Sequence, residues 1–127
     1  MAKLHVEVRK FLEGKNFAFL ATTNKDGSAH VTPVWVDTDG EYVLVNTAVG
    51  RVKHTNVRRD PRVGLSLLDQ ENPYKRVSLN GRVIGEVVGK RAEDHIDRLA
   101  KKYRGDAKYK KSNPDEERII FKIRVDR

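Results

Sequence analysis

The fold is decided by residues 17–46, FAFLATTNKDGSAHVTPVWVDTDGEYVLVN, in which three apolar runs are separated by two short polar gaps. Both gaps, NKDGS at residues 24–28 and DTDG at residues 37–40, contain the Asp-Gly pair that is typical of tight hairpin turns. We therefore expect three strands joined by consecutive hairpins into an antiparallel meander, at residues 17–22, 29–36 and 41–46. The middle strand contains Pro33, which has no amide hydrogen and therefore belongs at a sheet edge, at a bulge or where the ladder opens.

Further strands are expected after this stretch. Alternating apolar residues predict strands at residues 63–68, 76–88 and 119–125. The long strand at residues 76–88 carries Gly81 and Gly85, a pair of the kind that bends a sheet into a barrel. Nothing along the chain alternates strands with helices in the way that builds parallel sheets. The sequence therefore predicts a mainly β, antiparallel small barrel with flanking α helices.

Two or three helices are predicted outside the strands. Apolar residues recur at helical spacing over the first dozen positions, and Gly14 stands where such a helix would end. The same spacing recurs at residues 91–103, before Gly105. A third, shorter helix is expected to begin near Arg51.

Length and composition restrict the class of protein. A chain of 127 residues with 38% hydrophobic and 35% charged residues fits one soluble globular domain over residues 1–127. The chain has no cysteine, which excludes disulfides, thiolate catalysis and cysteine-bound metals. No apolar run approaches the roughly 20 residues of a membrane span, and the N-terminus has no signal-peptide core, so we expect a cytoplasmic protein without a membrane partner. The net charge of +8 favours an acidic partner: nucleic acid, an anionic membrane, or a small ligand carrying phosphate and carboxylate groups.

The segment TAVGRVKHTNVRRDP at residues 47–61 concentrates positive charge. Gly50 permits backbone conformations that other residues disfavour, and Arg51 and Lys53 follow it at the expected helix start. At such a position backbone amides, the helix dipole and two cations can converge on one phosphate. Six side chains in and just after this segment can be positive: Arg51, Lys53, His54, Arg58, Arg59 and Arg62. We interpret the segment as an anion-binding site. The alternative is a solvated basic helix face.

The chain offers little material for side-chain catalysis. Its four histidines show no metal-ligand spacing and its serines lie in no nucleophile elbow, so we expect neither a metal site nor a hydrolytic triad. Trp35 lies in an apolar strand and is expected to pack in the core, but a cleft at Pro33 would let this strand lie along the edge of a flat polar ring. Tyr74 and Lys75, in the polar loop before the long strand, are open to the same two interpretations.

Taken together, these segments resemble the pyridoxamine 5′-phosphate oxidase-like flavoprotein superfamily. The similarity covers nearly the whole chain and rests on FAFLATTNKDGSAHVTPVWV, DGEYVLVNTAVGRVKHTNVRRDPRVGLSL, NGRV, IDRLAKKY and ERIIFKI. Its most specific part is TPVW, then NT, then GRVKHTNVRRDPR at the expected separations. Within the superfamily the chain is most similar to the short actinobacterial and archaeal branch of F420-dependent enzymes.

The resemblance implies an FMN-binding split β-barrel that forms a homodimer, with two cofactor sites at the subunit interface. The cofactor-binding positions that it implies are Thr32, Pro33, Val34 and Trp35 along the flat ring, Asn46 and Thr47 beside the ribityl chain, and Arg51, Lys53 and Asn56 at the phosphate. The implied phosphate site agrees with the anion-binding site that we infer from the residues alone.

The resemblance also implies an oxidoreductase in which the cofactor ring performs the chemistry, so no catalytic side chain is expected. We expect reduced F420 to place its C5 near a small electron-poor substrate over the open ring face and to transfer a hydride, with a solvent proton completing the reduction. Six possible cations suit the phosphodiester and polyglutamate tail of F420 better than the single phosphate of FMN, which makes F420 the expected cofactor. FMN, in an oxidase, a reductase or a flavin carrier, is the alternative.

Two other classes stay open at this point. A basic small barrel could bind nucleic acid, but such domains interleave exposed aromatic residues with their cations, and here the aromatic residues mostly lie in apolar strands. Nucleic acid is therefore not the expected partner. The other class is a dimeric scaffold with a decayed cofactor site. The sequence does not identify the substrate, because loops and the partner subunit select it.

Overall fold

A computed structural model describes residues 4–126 of the chain, with three helices and seven strands. The helices are α1 (Val6–Glu13), α2 (Val52–Arg59) and α3 (Lys90–Arg104). The strands are β1 (Ala18–Thr23), β2 (Ala29–Val34), β3 (Val36–Thr38), β4 (Val43–Ala48), β5 (Arg62–Leu68), β6 (Arg76–Val88) and β7 (Arg118–Val125). The predicted elements are all present, although residues 1–3 of the expected first helix lie outside the described residues.

All seven strands form one antiparallel sheet in the order β2-β1-β5-β6-β7-β4-β3. The first expected hairpin is present as β1 and β2, and the second as β3 and β4. The expected meander is nevertheless wrong, because the two hairpins lie at opposite edges of the sheet. Strands β5, β6 and β7, which come later in the chain, lie between the hairpins and supply the backbone partners that a local pattern cannot reveal.

The expected strand at residues 29–36 is divided at Trp35 into β2 and the start of β3. Here the amide of Val36 donates to the Tyr103 hydroxyl at 3.1 Å, and the Val36 carbonyl accepts from Lys102 Nζ at 2.8 Å. Helix α3 therefore satisfies backbone groups that a neighbouring strand would otherwise pair. Since Trp35 alone joins the two edge strands, the sheet has to curl until its edges come together, which produces the predicted split β-barrel.

The bend in β6 lies where the glycine pair predicted it. The pairing of β6 with β7 shifts register between Val83 and Gly85, which marks a β-bulge. At Gly81 a Cβ atom would overlap the carbonyl oxygen of Arg124, so only glycine fits this close approach of two strands. Both features let the 13-residue strand follow the curved wall of the barrel.

The barrel encloses the main apolar core. Its largest fully buried side chains include Phe121, Leu20, Leu67, Ile119 and Ile123, together with Leu12 of α1. Helix α3 packs outside the barrel through a second apolar cluster of Ile96, Leu99 and Tyr103, against which Trp35 and Tyr109 lie. Within residues 4–126, none of the three helices combines the length and the apolar character that a membrane crossing requires.

Candidate functional site

A cleft of about 350 Å³ opens where Trp35 divides the strand. Its apolar and aromatic lining residues are Phe17, Pro33, Val34, Trp35, Ile96 and Tyr109. Its polar lining residues are Asn46, Thr47, Arg51, Lys53 and Arg118. This size, with both apolar and cationic lining, suits a small ligand that carries a flat ring and an anionic group.

Trp35 forms a flat wall of the cleft. Its ring stacks on Tyr103 of α3 with a centroid distance of 5.3 Å and an interplanar angle of 4°. Tyr109 meets the same ring edge-on, at 6.3 Å and 86°. Trp35 therefore packs against α3 and also borders the cleft, so its two interpretations from the sequence are compatible. A ring held in this way is a rigid surface for an aromatic ligand.

Two of the three cations of the cleft, Arg51 and Lys53, lie at the start of α2. Gly50 has a φ of +87°, which turns the chain into the helix, and its amide donates to Nδ1 of the buried His54 at 3.0 Å. Arg51 occupies the N-cap position, and no side chain caps the first turn. The first amides of α2 and the positive end of its dipole therefore lie beside Arg51 and Lys53, an arrangement that favours an anion.

Lys53 is held close to other cations. Burial lowers the pKa of Lys53, and the positive charges of Arg51 and Arg118 lower this pKa further. Both neighbouring charges that act on the ammonium are positive. An anion entering the cleft would therefore relieve a repulsion that exists in the free protein.

Sequence reasoning missed Arg118. Its side chain is 3% exposed, its Nη1 donates to Glu116 Oε2 at 2.6 Å, and its guanidinium lies 4.8 Å from the ring centroid of Tyr109. Its Nε donates to Asn46 Oδ1 at 2.9 Å across 72 residues of sequence. In the sequence Arg118 stands just before the expected strand at residues 119–125, and no local pattern contains its distant acceptor. Phe17, Ile96 and Tyr109 were also missed, because they come from three separate segments and no local pattern shows that these segments meet at the cleft.

Asn46 connects α3 and β7 at the cleft wall by hydrogen bonds. Its side-chain nitrogen donates to the Ala92 carbonyl at 3.0 Å and lies 3.1 Å from Nδ1 of His95, while its oxygen accepts from Arg118. Thr47 is 2% exposed, and its hydroxyl has no hydrogen-bond partner among the described residues. A buried hydroxyl without a partner costs free energy unless a ligand or a water molecule satisfies it. Thr47 therefore fits a contact with a polar chain bound in the cleft.

Two of the nine expected site residues do not line the cleft. Asn56 is buried, donates to Thr22 Oγ1 at 3.0 Å and to Asn24 Oδ1 at 2.9 Å, and accepts from Arg59 at 2.8 Å. Its polar atoms are thus used to tie α2 to β1 and to the turn that follows β1. Thr32 also stands outside the lining, although its hydroxyl, like that of Thr47, is buried without a partner in the described part of the chain.

The six possible cations of the basic segment do not gather at one place, so that expectation is wrong. Successive side chains of a helix point about 100° apart, and most of those on α2 leave the cleft. Arg58 pairs with Glu86 at 3.1 Å, and Arg62, which follows the helix, pairs with Asp60 at 2.8 Å. Two of the six line the cleft, and the third cation there comes from β7.

Tyr74 and Lys75 lie in a separate groove. This groove of about 460 Å³ runs between α1 and the loop before β6, and Phe11 and Arg76 also line it. Tyr74 is 86% exposed, so it does not pack in the core. Neither residue lines the cleft.

The buried histidines support the framework. His95 is 1% exposed, and its Nε2 lies 3.2 Å from Asp37 Oδ2. Burial raises the pKa of Asp37, but the hydrogen bond and charge of His95 and the charge of Lys102 outweigh it, so this pKa is lowered. Across residues 4–126, no three acidic or histidine side chains gather in an arrangement that could hold a metal ion.

Comparison with known proteins relates this geometry to a family. The model of the family described as pyridoxamine 5′-phosphate oxidase matches residues 4–127. The solved structure of an F420 reductase is similar to this chain with a TM-score of 0.80 and 26% identity, covering 94% of this chain and 93% of that one. No curated protein matches the chain.

Two further solved structures share the fold at lower identity. A conserved hypothetical protein from Mycobacterium tuberculosis has a TM-score of 0.66 and 21% identity, covering 100% of this chain and 83% of that one. HutZ, a heme storage protein from Vibrio cholerae, has a TM-score of 0.61 and 14% identity, covering 99% of this chain and 92% of that one. At these identities the likeness shows the fold alone.

Proposed function

Because the chain belongs to the pyridoxamine 5′-phosphate oxidase family, we propose that it is an oxidoreductase that binds the deazaflavin cofactor F420 in the cleft and reduces a small electron-poor organic molecule. The observation that carries this proposal is a single cleft whose lining includes both a flat aromatic wall at Trp35 and three cations, Arg51, Lys53 and Arg118. The choice of F420 is supported by the F420 reductase, with which this chain shares 26% identity over 94% of its length.

The residues of the cleft would hold different parts of the cofactor. The ring would lie along Pro33 and Trp35, and the Thr47 hydroxyl would meet the ribityl chain. Arg51 and Lys53 would bind the phosphate at the start of α2, where charge-assisted hydrogen bonds add to the helix dipole. Each of these contacts uses a group that lines the cleft, and the Thr47 hydroxyl has no other partner among the described residues.

When bound, F420 supplies a hydride from its C5 position to the substrate. The residues of the chain bind and orient the reactants, which is where a protein contributes most to such a reaction. No carboxylate or imidazole lines the cleft among the residues that the structure describes, so we expect solvent to supply the proton that completes the reduction.

FMN is the second candidate, and the grouping of charges favours it. Three cations that are close enough to influence one another line the cleft, while Arg58 and Arg62 are paired elsewhere. A compact group of cations suits one terminal phosphate better than a long acidic tail. With FMN, the same cleft would serve an oxidase, a reductase or a flavin carrier.

We also propose that the working form is a homodimer. Strand β2 lies at a sheet edge, and Phe19 of β1 and Val31 of β2 are 40% and 56% exposed. Pro33, opposite Phe19 in the strand pairing, is exposed as well and also lines the cleft. Exposed apolar side chains on an edge strand need a cover. A second copy of the chain on this face would cover them and would border the cleft.

Removing both phosphate-binding cations tests the proposal. We expect Arg51→Ala combined with Lys53→Ala to weaken the binding of F420 and of FMN by about 100-fold or more, because two charge-assisted contacts are lost. Equilibrium dialysis measures the affinity, and the melting temperature should be unchanged because both side chains border an open cleft. The matched control, Arg58→Ala with Arg62→Ala, removes the same charge outside the cleft and should leave binding within about threefold. Equal losses in the two double variants would contradict the assignment of the phosphate site.

A further inference from the structure

A buried carboxylate stands beside the cations of the cleft. The side chain of Glu116 is 5% exposed, and its Oε2 accepts from Arg118 Nη1 at 2.6 Å. Its Oε1 accepts from the Ser112 hydroxyl at 3.1 Å and from Arg51 Nη2 at 3.4 Å. Burial raises the pKa of Glu116, but the hydrogen bonds from Arg118 and Ser112 and the charges of both arginines outweigh it, so this pKa is lowered. A carboxylate that does not itself line the cleft is therefore already paired with two of the cations that do.

The two arginines that contact Glu116 are held very differently. Arg118 is 3% exposed and is also bonded to Asn46, so its position is fixed. Arg51 is 44% exposed, and its contact with Glu116 is long. Arg51 also lines two cavities: the cleft, and a neighbouring cavity of about 500 Å³ on whose wall Glu116 lies. The Arg51 guanidinium can therefore turn toward Glu116 or toward an anion in the cleft.

We propose that Glu116 is a positioning residue that sets how much negative charge the cleft accepts, by competing with the ligand's phosphate for Arg51. The identity of the ligand rests on the proposed function, whereas the competition requires only an anion. The three cations and the one carboxylate carry a formal charge of +2, which balances one phosphate monoester of about −2. Without the carboxylate, the site would carry +3 and Arg51 would have no second anion to pair with.

Glu116→Gln tests this by removing the charge while keeping the shape of the side chain. Isothermal titration would use FMN, riboflavin, which is the same ring without phosphate, and inorganic pyrophosphate. We expect FMN and pyrophosphate to bind about tenfold more tightly to the variant, and riboflavin to bind as it does to the wild-type protein. The matched control is Glu117→Gln, the same change at an exposed neighbour for which the described residues show no contact with Arg51, and it should leave all three affinities within about twofold.

Three results would overturn the proposal: weaker or unchanged binding of FMN and pyrophosphate by Glu116→Gln, an equal change for FMN and riboflavin, or the same gain in Glu117→Gln. If Glu116→Gln is too unstable to titrate, Glu116→Asp replaces it. The shorter carboxylate keeps its pair with Arg118 but withdraws from Arg51, so pyrophosphate should again bind more tightly, and no gain would overturn the proposal. Wild-type protein that binds pyrophosphate but neither F420 nor FMN would contradict the proposed function alone.

Discussion

Among single residues, Lys53 gives the clearest indication of an anionic ligand. Burial and two neighbouring guanidinium groups lower its pKa, so the free protein keeps this ammonium in an unfavourable place. An anion bound beside it would favour the charged form and raise the pKa again. By linkage, binding and protonation of Lys53 strengthen each other.

Anion affinity should therefore fall in alkaline solution. At a pH below the lowered pKa, Lys53 is charged before and after binding, and the affinity is at its maximum. As the pH rises through that pKa, binding has to take up a proton, so the affinity decreases. The measurement is the ratio of the dissociation constants of FMN and riboflavin between about pH 7 and about pH 10, which cancels ionisation of the shared ring. In Lys53→Gln this ratio should depend less on pH. If the ratio in that variant depends on pH as strongly as in the wild-type protein, Lys53 is excluded as the responsible group.

Single residues also show how far the sequence alone could predict the site. Arg51 and Lys53 were predicted because a glycine and a helix start, both local features, place them at the start of α2, where they line the cleft. Asn56 was expected at the phosphate, but its amide is used inside the protein by partners on β1 and the following turn. Arg118 was missed because its role depends on Asn46, whose distance along the chain no periodicity encodes. Local patterns can therefore identify the part of a site that one segment builds, and they miss cations that another strand contributes.

At the scale of elements, α3 is fixed beside the cleft through Tyr103. The Tyr103 hydroxyl donates to the Asn16 carbonyl at 2.6 Å and accepts from the Val36 amide at 3.1 Å, which ties α3 to the chain on both sides of the β1–β2 hairpin. The same ring stacks on Trp35. Burial is the main reason that the pKa of Tyr103 is raised to about 12.

Tyr103→Phe should destabilise the fold by about 1–3 kcal/mol, because the half-buried Asn16 carbonyl and the buried Val36 amide lose their partner. In the wild-type protein the neutral phenol is favoured by folding, so its contribution is complete below about pH 10 and is lost as the pH rises through about 12. Chemical denaturation between about pH 10 and about pH 12 measures the free energy of unfolding and its dependence on pH. In the variant, the loss of stability that comes from ionisation of Tyr103 should be absent. Tyr74→Phe, at a side chain that is 86% exposed, is the control and should change neither the free energy of unfolding nor its dependence on pH. A wild-type stability for Tyr103→Phe would contradict the account of α3.

The elements themselves were largely predictable, and their arrangement was not. Hairpin turns, alternating strands and the helical period at residues 91–103 are local, and they placed the elements close to their observed bounds. The order of strands depends on pairings such as β1 with β5 and β4 with β7, which connect distant parts of the chain. The division at Trp35 depends on α3, about 70 residues later, because Tyr103 and Lys102 take the backbone groups of Val36.

For the whole molecule, the exposed apolar face of β1 and β2 leads to a prediction about assembly. If a second copy of the chain covers this face, Val31→Glu should bury an unpaired charge in the interface and convert the dimer to monomers. Light scattering coupled to size-exclusion chromatography measures the mass. The control is Val88→Glu, at a valine of β6 that is 51% exposed and lies outside this face, and it should remain dimeric. A wild-type protein that is monomeric at all concentrations would exclude the proposed homodimer.

The central claim is that the cleft beside Trp35 holds the ring of F420 or FMN. Trp35 is the single tryptophan of the chain and lines the cleft, so its fluorescence reports on that site. The most direct measurement is a titration of the wild-type protein with F420 and with FMN, followed by tryptophan emission. The account predicts saturable quenching by at least one of them, with a dissociation constant below about 100 μM, which corresponds to about −5.5 kcal/mol. Emission that neither cofactor quenches beyond the effect of free ring absorption would contradict it.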